Sequence, residues 1–141
     1  MDRAVIDASV AIKWTIGESG SEEALRLVQT TLLVAPRLIL IECANVLWVK
    51  SRRMDITSDD AAEAYAYIAV APIDYLEDGD LLPAALALAG LLDHSVYDCL
   101  YVAASVAIQA PIVTADRKLH RKLSETRPVM CRSLLLSDLA A

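Results

Sequence analysis

Ala4-Val5-Ile6-Asp7-Ala8-Ser9 near the start of the chain and Ile112-Val113-Thr114-Ala115-Asp116 near its end decide the fold. Each is a short apolar, β-branched run that stops at an acid. Such runs read as buried strands, and 4–8 residues is strand length rather than helix length. Between them lie longer segments with helical periodicity, broken by further short apolar runs. Strands separated by helices argue for a parallel sheet covered on both faces. In such sheets, sites form outside the carboxyl ends of the strands, where Asp7 and Asp116 fall.

Working outward, a short helix is predicted over 9–14 and a loop over 17–20. Ser19 and Glu22 form a capping-box pair for a helix to about Thr30. Leu32 to Ala35 is a short strand; Pro36 breaks it and starts a helix to about Arg53. Thr57 caps a helix to about Ala71, with Asp59 and Asp60 in its first turn. Ile73 to Leu76 is extended, and Asp80 opens a helix to about Leu92. Ser95 caps a helix over 96–109. Arg117 to Leu123 is a helix, and Pro128 to Cys131 a last strand. No repeat, linker or low-complexity segment divides residues 1–141, so a single domain is expected.

Two further acids, Glu42 and Asp98, sit inside apolar helical patterns, where an acid is costly unless it has a cation or a partner. The Glu42 helix is apolar nearly all round and reads as largely buried. At 100° per residue Glu42 shares a face with Asn45, Val46, Val49 and Arg53, and Asp98 with Tyr101, Val102, Ser105 and Gln109. Each acid has a plain alternative: an ion pair for Glu42, a favourable early-helix place for Asp98, helix caps for Asp7 and Asp116. Four at one edge are harder to explain that way, because clustered carboxylates repel and need a cation to stay ionised. With no Cys or His pair beside them, the preferred ion is hard and oxygen-loving, Mg²⁺ or Mn²⁺.

The formal net charge of −6 argues at first against a nucleic-acid partner. Its distribution softens that objection. Met54 to Asp116 holds eleven acids and no Lys or Arg, whereas Arg117 to Arg132 holds six basic residues and one acid. Arg117, Lys118, Arg121 and Lys122 are therefore candidate RNA-backbone contacts, against the alternative of a solvated helix face. A second basic cluster is Lys50, Arg52 and Arg53. The three cysteines lie in no CxxC pair and read as small buried hydrophobes of a reducing cytoplasm. The start of the chain shows no apolar leader, and the longest uncharged run, Cys99 to Ala115, falls short of a spanning helix.

Four segments carry a resemblance: Val5-Ile6-Asp7-Ala8-Ser9, Leu40-Ile41-Glu42-Cys43-Ala44-Asn45, Val96-Tyr97-Asp98-Cys99-Leu100-Tyr101 and Thr114-Ala115-Asp116-Arg117-Lys118-Leu119. Their ordered set resembles the PIN domain and, more narrowly, the VapC ribonuclease toxins of prokaryotic toxin–antitoxin pairs, over about Ala4 to Arg132. The resemblance implies a three-layer α/β/α sandwich with a central, mainly parallel sheet. It also implies a pocket of Asp7, Glu42, Asp98 and Asp116 holding Mg²⁺ or Mn²⁺, supported by Ser9, Thr114 and Asn45. The implied activity is endonucleolytic RNA cleavage leaving 5′-phosphate and 3′-hydroxyl ends. Two departures are Lys118, where some relatives carry an acid, and Cys99, where Ala is common.

The expected partners are RNA, a VapB-like antitoxin and a second copy of the chain, with no membrane. Trp14 and Trp48 are candidate anchors for the antitoxin's C-terminal segment, at least one of them partly exposed. Competing readings are a metal-free nuclease using His94 and His120, a PIN-like binding or scaffolding module without cleavage activity, and a phosphatase. The last lacks a Gly-rich phosphate loop or a G-x-S-x-G elbow.

Overall fold

The computed structural model describes residues 1–125 and 131–139. Five strands form one all-parallel sheet: β1 (Arg3–Ile6), β2 (Leu32–Pro36), β3 (Ile73–Leu76), β4 (Ile112–Thr114) and β5 (Ser133–Leu135), in the order β3-β2-β1-β4-β5. The helices are α1 (Ala8–Ala11), continued as a 3₁₀ turn to Trp14, α2 (Ser21–Thr30), α3 (Leu38–Arg52), α4 (Ser58–Ala69), α5 (Asp78–Leu92), α6 (Val96–Ile108) and α7 (Arg117–Glu125). The architecture is the expected α/β/α sandwich. Right-handed crossovers put α1 to α4 on one face and α5 to α7 on the other.

The strands are apolar because both their faces are covered. Val5, Ile6, Ile112 and Val113 are fully buried, as near-continuous β-branched runs in parallel sheets must be. β1 pairs with β4 at Val5↔Ile112 and Ile6↔Val113. From β1 the chain winds one way to β2 and β3, then returns to the other side for β4 and β5. The strand order therefore reverses between β1 and β4, which opens a crevice beyond their carboxyl ends. Asp7 leaves β1 directly into that crevice, and Asp116 enters it two residues after β4.

Local signals held at several caps. Thr57 and Asp60 form a reciprocal capping box on α4, and the Ser95 hydroxyl accepts the Asp98 amide at the start of α6. With few glycines to spare, the chain puts Asp93 and Gln109 in left-handed conformations to end α5 and α6.

Other expectations fail. Ser19 does not cap α2: Gly20, at φ 91°, holds the cap position with no side-chain bond. Pro36 closes β2 instead of opening α3. The last strand is Ser133–Leu135, later than predicted, and 128–130 of the predicted strand lie outside the described residues. Nor is α3 largely buried. It exposes Ile41 (68%), Ala44, Asn45, Trp48 (54%) and Arg52 along one stripe.

Cys43 and Cys99 are buried, and burial pushes the Cys43 thiol up to about 12, so it is inert. Among the described residues no single helix is long and apolar enough to cross a membrane.

Candidate functional site

Asp7, Glu42, Asp98 and Asp116 arrive from β1, α3, α6 and β4 and line one open cavity of about 400 Å³. Asp7 is the most buried of the four acids. Ser9 Oγ donates to Asp7 Oδ1 and Thr114 Oγ1 to Asp7 Oδ2, so each carboxylate oxygen has a hydroxyl partner. The same hydroxyls reach further. Ser9 Oγ accepts the Ala115 amide at 2.9 Å, and Thr114 Oγ1 accepts the Asp116 amide at 3.0 Å. The register explains this convergence: with Ile6 opposite Val113, Asp7 stands level with Thr114. Burial dominates the Asp7 carboxyl and raises its pKa from 3.8 to about 6; the two hydroxyl bonds oppose that rise, and the Asp116 charge adds to it.

Asp116 has two duties. Its Oδ1 accepts the amides of Lys118 (2.9 Å) and Leu119 (3.1 Å), capping α7, while the residue also lines the cavity. Capping and a place in the acidic cavity are therefore compatible.

Glu42 is half-buried. Burial raises its pKa from 4.5 to about 7, against the lowering effect of a 3.2 Å hydrogen bond from the Tyr101 hydroxyl; Asp98 and Asp7 push it higher. Tyr101 itself is wholly buried, and burial beside Glu42 raises its pKa, so its hydroxyl stays a donor. Asp98 approaches His94, with Oδ2 2.7 Å from Nε2, although the contact is not an aligned hydrogen bond.

The donors are carboxylate and hydroxyl oxygens, the set a hard divalent cation takes. Among the described residues no three acid, Cys or His side chains are gathered closely enough to make a ready-formed metal cluster. Burial chiefly raises the pKa values of Asp7 and Glu42, the neighbouring carboxylates add to the rise, and the donor set fits Mg²⁺ or Mn²⁺.

The other sequence candidates separate. Ser9 and Thr114 belong to the network. Asn45 is exposed and does not line the cavity; the residues of α3 that do are Glu42, Val46 and Lys50, at i, i+4 and i+8. Arg117, Lys118 and Arg121 are exposed on α7, and Lys122 is half-buried. Trp14 is a core residue whose indole donates to the Ala24 carbonyl at 3.0 Å, whereas Trp48 stands out in solvent under Arg52. Sequence reasoning missed Tyr101 and His94 as partners of Glu42 and Asp98. It also missed Lys13 and Glu18, which line the cavity. Tyr101 was within reach, since it shares a helical face with Asp98.

Comparison with known proteins follows this geometry. Residues 4–123 match the PIN domain family model. The chain is 32% identical over 124 residues to ribonuclease VapC1 of Mycobacterium tuberculosis, covering 84% of this chain and 90% of that one. It is 33% identical over 126 residues to ribonuclease VapC3 of Pyrobaculum aerophilum, covering 85% and 94%. In three dimensions it is similar to the P. aerophilum protein PAE2754, with a TM-score of 0.71 at 20% identity, over 98% of this chain and 93% of that one. With acids at the switch point of a parallel sheet and a family match that spans them all, the chain belongs to the PIN-domain family.

Proposed function

We propose that the chain is a Mg²⁺- or Mn²⁺-dependent endoribonuclease, the toxin of a VapBC-type pair. The observation that carries this reading is the convergence of four carboxylates from four separate elements on one solvent-open cavity. Asp7, Asp98 and Asp116 would hold the ion, with Glu42 completing the set. Such an ion supplies Lewis acidity: it lowers the pKa of water and offsets charge building on the phosphate. Ser9 and Thr114 fix both oxygens of Asp7, which sets the direction in which that carboxylate presents its charge. Glu42, whose Oε1 accepts the Tyr101 hydroxyl, lines the cavity where it could orient the attacking water. In-line attack with the 3′-oxygen leaving gives 5′-phosphate and 3′-hydroxyl ends.

The names of the ribonucleases VapC1 and VapC3 support RNA as substrate. Two open cavities of about 640 and 690 Å³ share Asp55, Ile56 and Asp60 and make one groove along α4. Trp48 and Met54 stand at one end, Tyr67 and Glu63 at the other. Acid mixed with apolar surface suits a basic, amphipathic antitoxin segment. A separate apolar patch on α5, Leu82 and Leu86 (68% exposed), suits a second copy of the chain.

The deciding experiment is incubation with total RNA in Mg²⁺, Mn²⁺ or EDTA, with the new ends mapped. Metal-dependent cuts with 5′-phosphate ends are expected; cleavage that survives EDTA would sink the metal mechanism. Because Trp14 is buried, acrylamide quenching reports on Trp48, and antitoxin binding should protect it. Quenching left unchanged in the complex would remove Trp48 from the groove.

A further inference from the structure

The acidic cavity presents an electrostatic problem. Five carboxylates line it, since Glu18 joins the four acids, and an RNA phosphate must enter against their field. One divalent ion leaves most of that charge in place. Two ammonium groups line the same cavity: Lys13, one turn beyond α1, and Lys50, two turns after Glu42 on α3.

Both lysines are held. Lys13 Nζ lies 3.1 Å from Glu18 Oε1, and Lys50 Nζ lies 3.5 Å from Glu18 Oε2. Glu18 is fixed in turn: its amide donates to Ser21 Oγ at 3.0 Å, and that hydroxyl donates to the Ile16 carbonyl. The Lys13 stem is confined as well. A Cβ at Gly20 would stand 3.2 Å from Lys13 Cδ, and Gly20 is at a positive φ that other residues adopt with strain. The Lys13 side chain is accordingly only 14% exposed, unusually low for a lysine at a cavity rim. It also lines an adjoining cavity of about 210 Å³ that includes Arg117.

We propose that Lys13 and Lys50, bridged by Glu18, form a phosphate grip at the mouth of the acidic cavity and position the RNA strand across the scissile bond. This deepens the nuclease reading and rests on it. The Glu18 carboxylate occupies both ammonium groups until RNA arrives, and a part-exposed ion pair is weak enough to be exchanged for a phosphate contact. Lys13 stands between the two cavities, so the strand passes over it toward Arg117. The basic run of α7 then acts further along the strand, away from the bond that breaks.

The test compares Lys13→Gln/Lys50→Gln with Glu18→Gln. Binding of a short fluorescein-labelled single-stranded RNA is followed by anisotropy in Ca²⁺, and cleavage in Mn²⁺. Each lost lysine should weaken RNA binding about tenfold and lower the salt slope by about 0.7. Mn²⁺ affinity, read by calorimetry without RNA, should hold or rise, because positive charge has left the cavity. Glu18→Gln breaks the same ion pairs but removes a negative charge, so its RNA binding should tighten. Lys13→Arg/Lys50→Arg should restore binding. If the double Gln variant binds and cuts RNA like the wild type, or if Glu18→Gln weakens RNA binding as much as it does, the grip is overturned. A wild-type chain that cuts no RNA would instead overturn the nuclease reading itself.

Discussion

The strand-borne acids and the helix-borne acids of the cavity are held in different ways. Asp7 and Asp116 sit where β1 and β4 end, and between them their carboxylates engage Ser9, Thr114 and the amides of Lys118 and Leu119. Glu42 and Asp98 ride on helices, and each has one side-chain neighbour, Tyr101 or His94. The sheet register places the first pair, which makes a rigid wall; the second pair has fewer partners, which makes a more adjustable one. In the metal-dependent reading proposed above, the rigid wall would set the position of an ion and the adjustable wall would complete its coordination.

The comparison breaks most sharply under charge removal. Asp7→Asn and Asp98→Asn should each lower cleavage by about 10³-fold or more, as loss of a main electrostatic contributor does. Asp7→Asn should also raise the melting temperature at pH 8, and by more than Asp98→Asn does, because Asp7 is buried whereas Asp98 is part exposed. Equal thermal behaviour in the two variants would erase the distinction.

The pH dependence of the metal-free protein comes next. Asp7 and Glu42 bind protons more tightly when folded, near pH 6 and 7, than when unfolded, near 3.8 and 4.5. Their contribution to stability is therefore present below about pH 4 and is lost as pH rises through 6 to 7. For Asp7 alone the loss is about 3 kcal/mol, from a rise of about two pKa units. Mn²⁺ should reverse it, and its binding should release protons at pH 6. Urea denaturation across pH 4–8, with and without Mn²⁺, measures both; a flat metal-free profile would contradict the buried charge.

Hydroxyl removal sharpens the contrast. Thr114→Val leaves a buried acceptor on Asp7 and an amide on Asp116 without partners, at about 1–3 kcal/mol. Tyr101→Phe touches the adjustable wall: stability should change by less than about 1 kcal/mol, while metal affinity falls about 10–100-fold. Calorimetry and denaturant melts separate the two outcomes. The smallest effect belongs to α7. Changing Arg117, Lys118, Arg121 and Lys122 to Gln should flatten the salt dependence of RNA binding by about 0.7 per lost phosphate contact, with little change in metal affinity.

The rigid wall was legible in the sequence. An acid that ends a β-branched run marks the carboxyl end of a strand, and two such runs predict neighbouring ends. The adjustable wall was legible by residue but not by neighbour. The helical wheel put Asn45, Val46, Val49 and Arg53 beside Glu42, yet of these only Val46 lines the cavity, together with Lys50. A wheel gives relative angles and not which angle points inward, and the apolar residues of α3 could not mark its core face because Ile41 and Trp48 are exposed. Composition does not tell a core face from a face awaiting a partner. The Glu18 bridge was out of reach for another reason. It joins Lys13 and Lys50 across 37 positions of sequence, through a loop whose Gly20 took the cap position that Ser19 seemed to offer.

The cap on α7 has a consequence beyond chemistry. Asp116 Oδ1 secures the amides of Lys118 and Leu119 while the same side chain faces the cavity. A cation that draws this carboxylate inward loads the first turn of the basic helix, and one that leaves it in place damps its opening. Hydrogen exchange at those two amides is thus a built-in gauge of what the cavity holds. The helix that carries the greatest positive charge among the described residues is tethered at its root to a carboxylate of the acidic cavity.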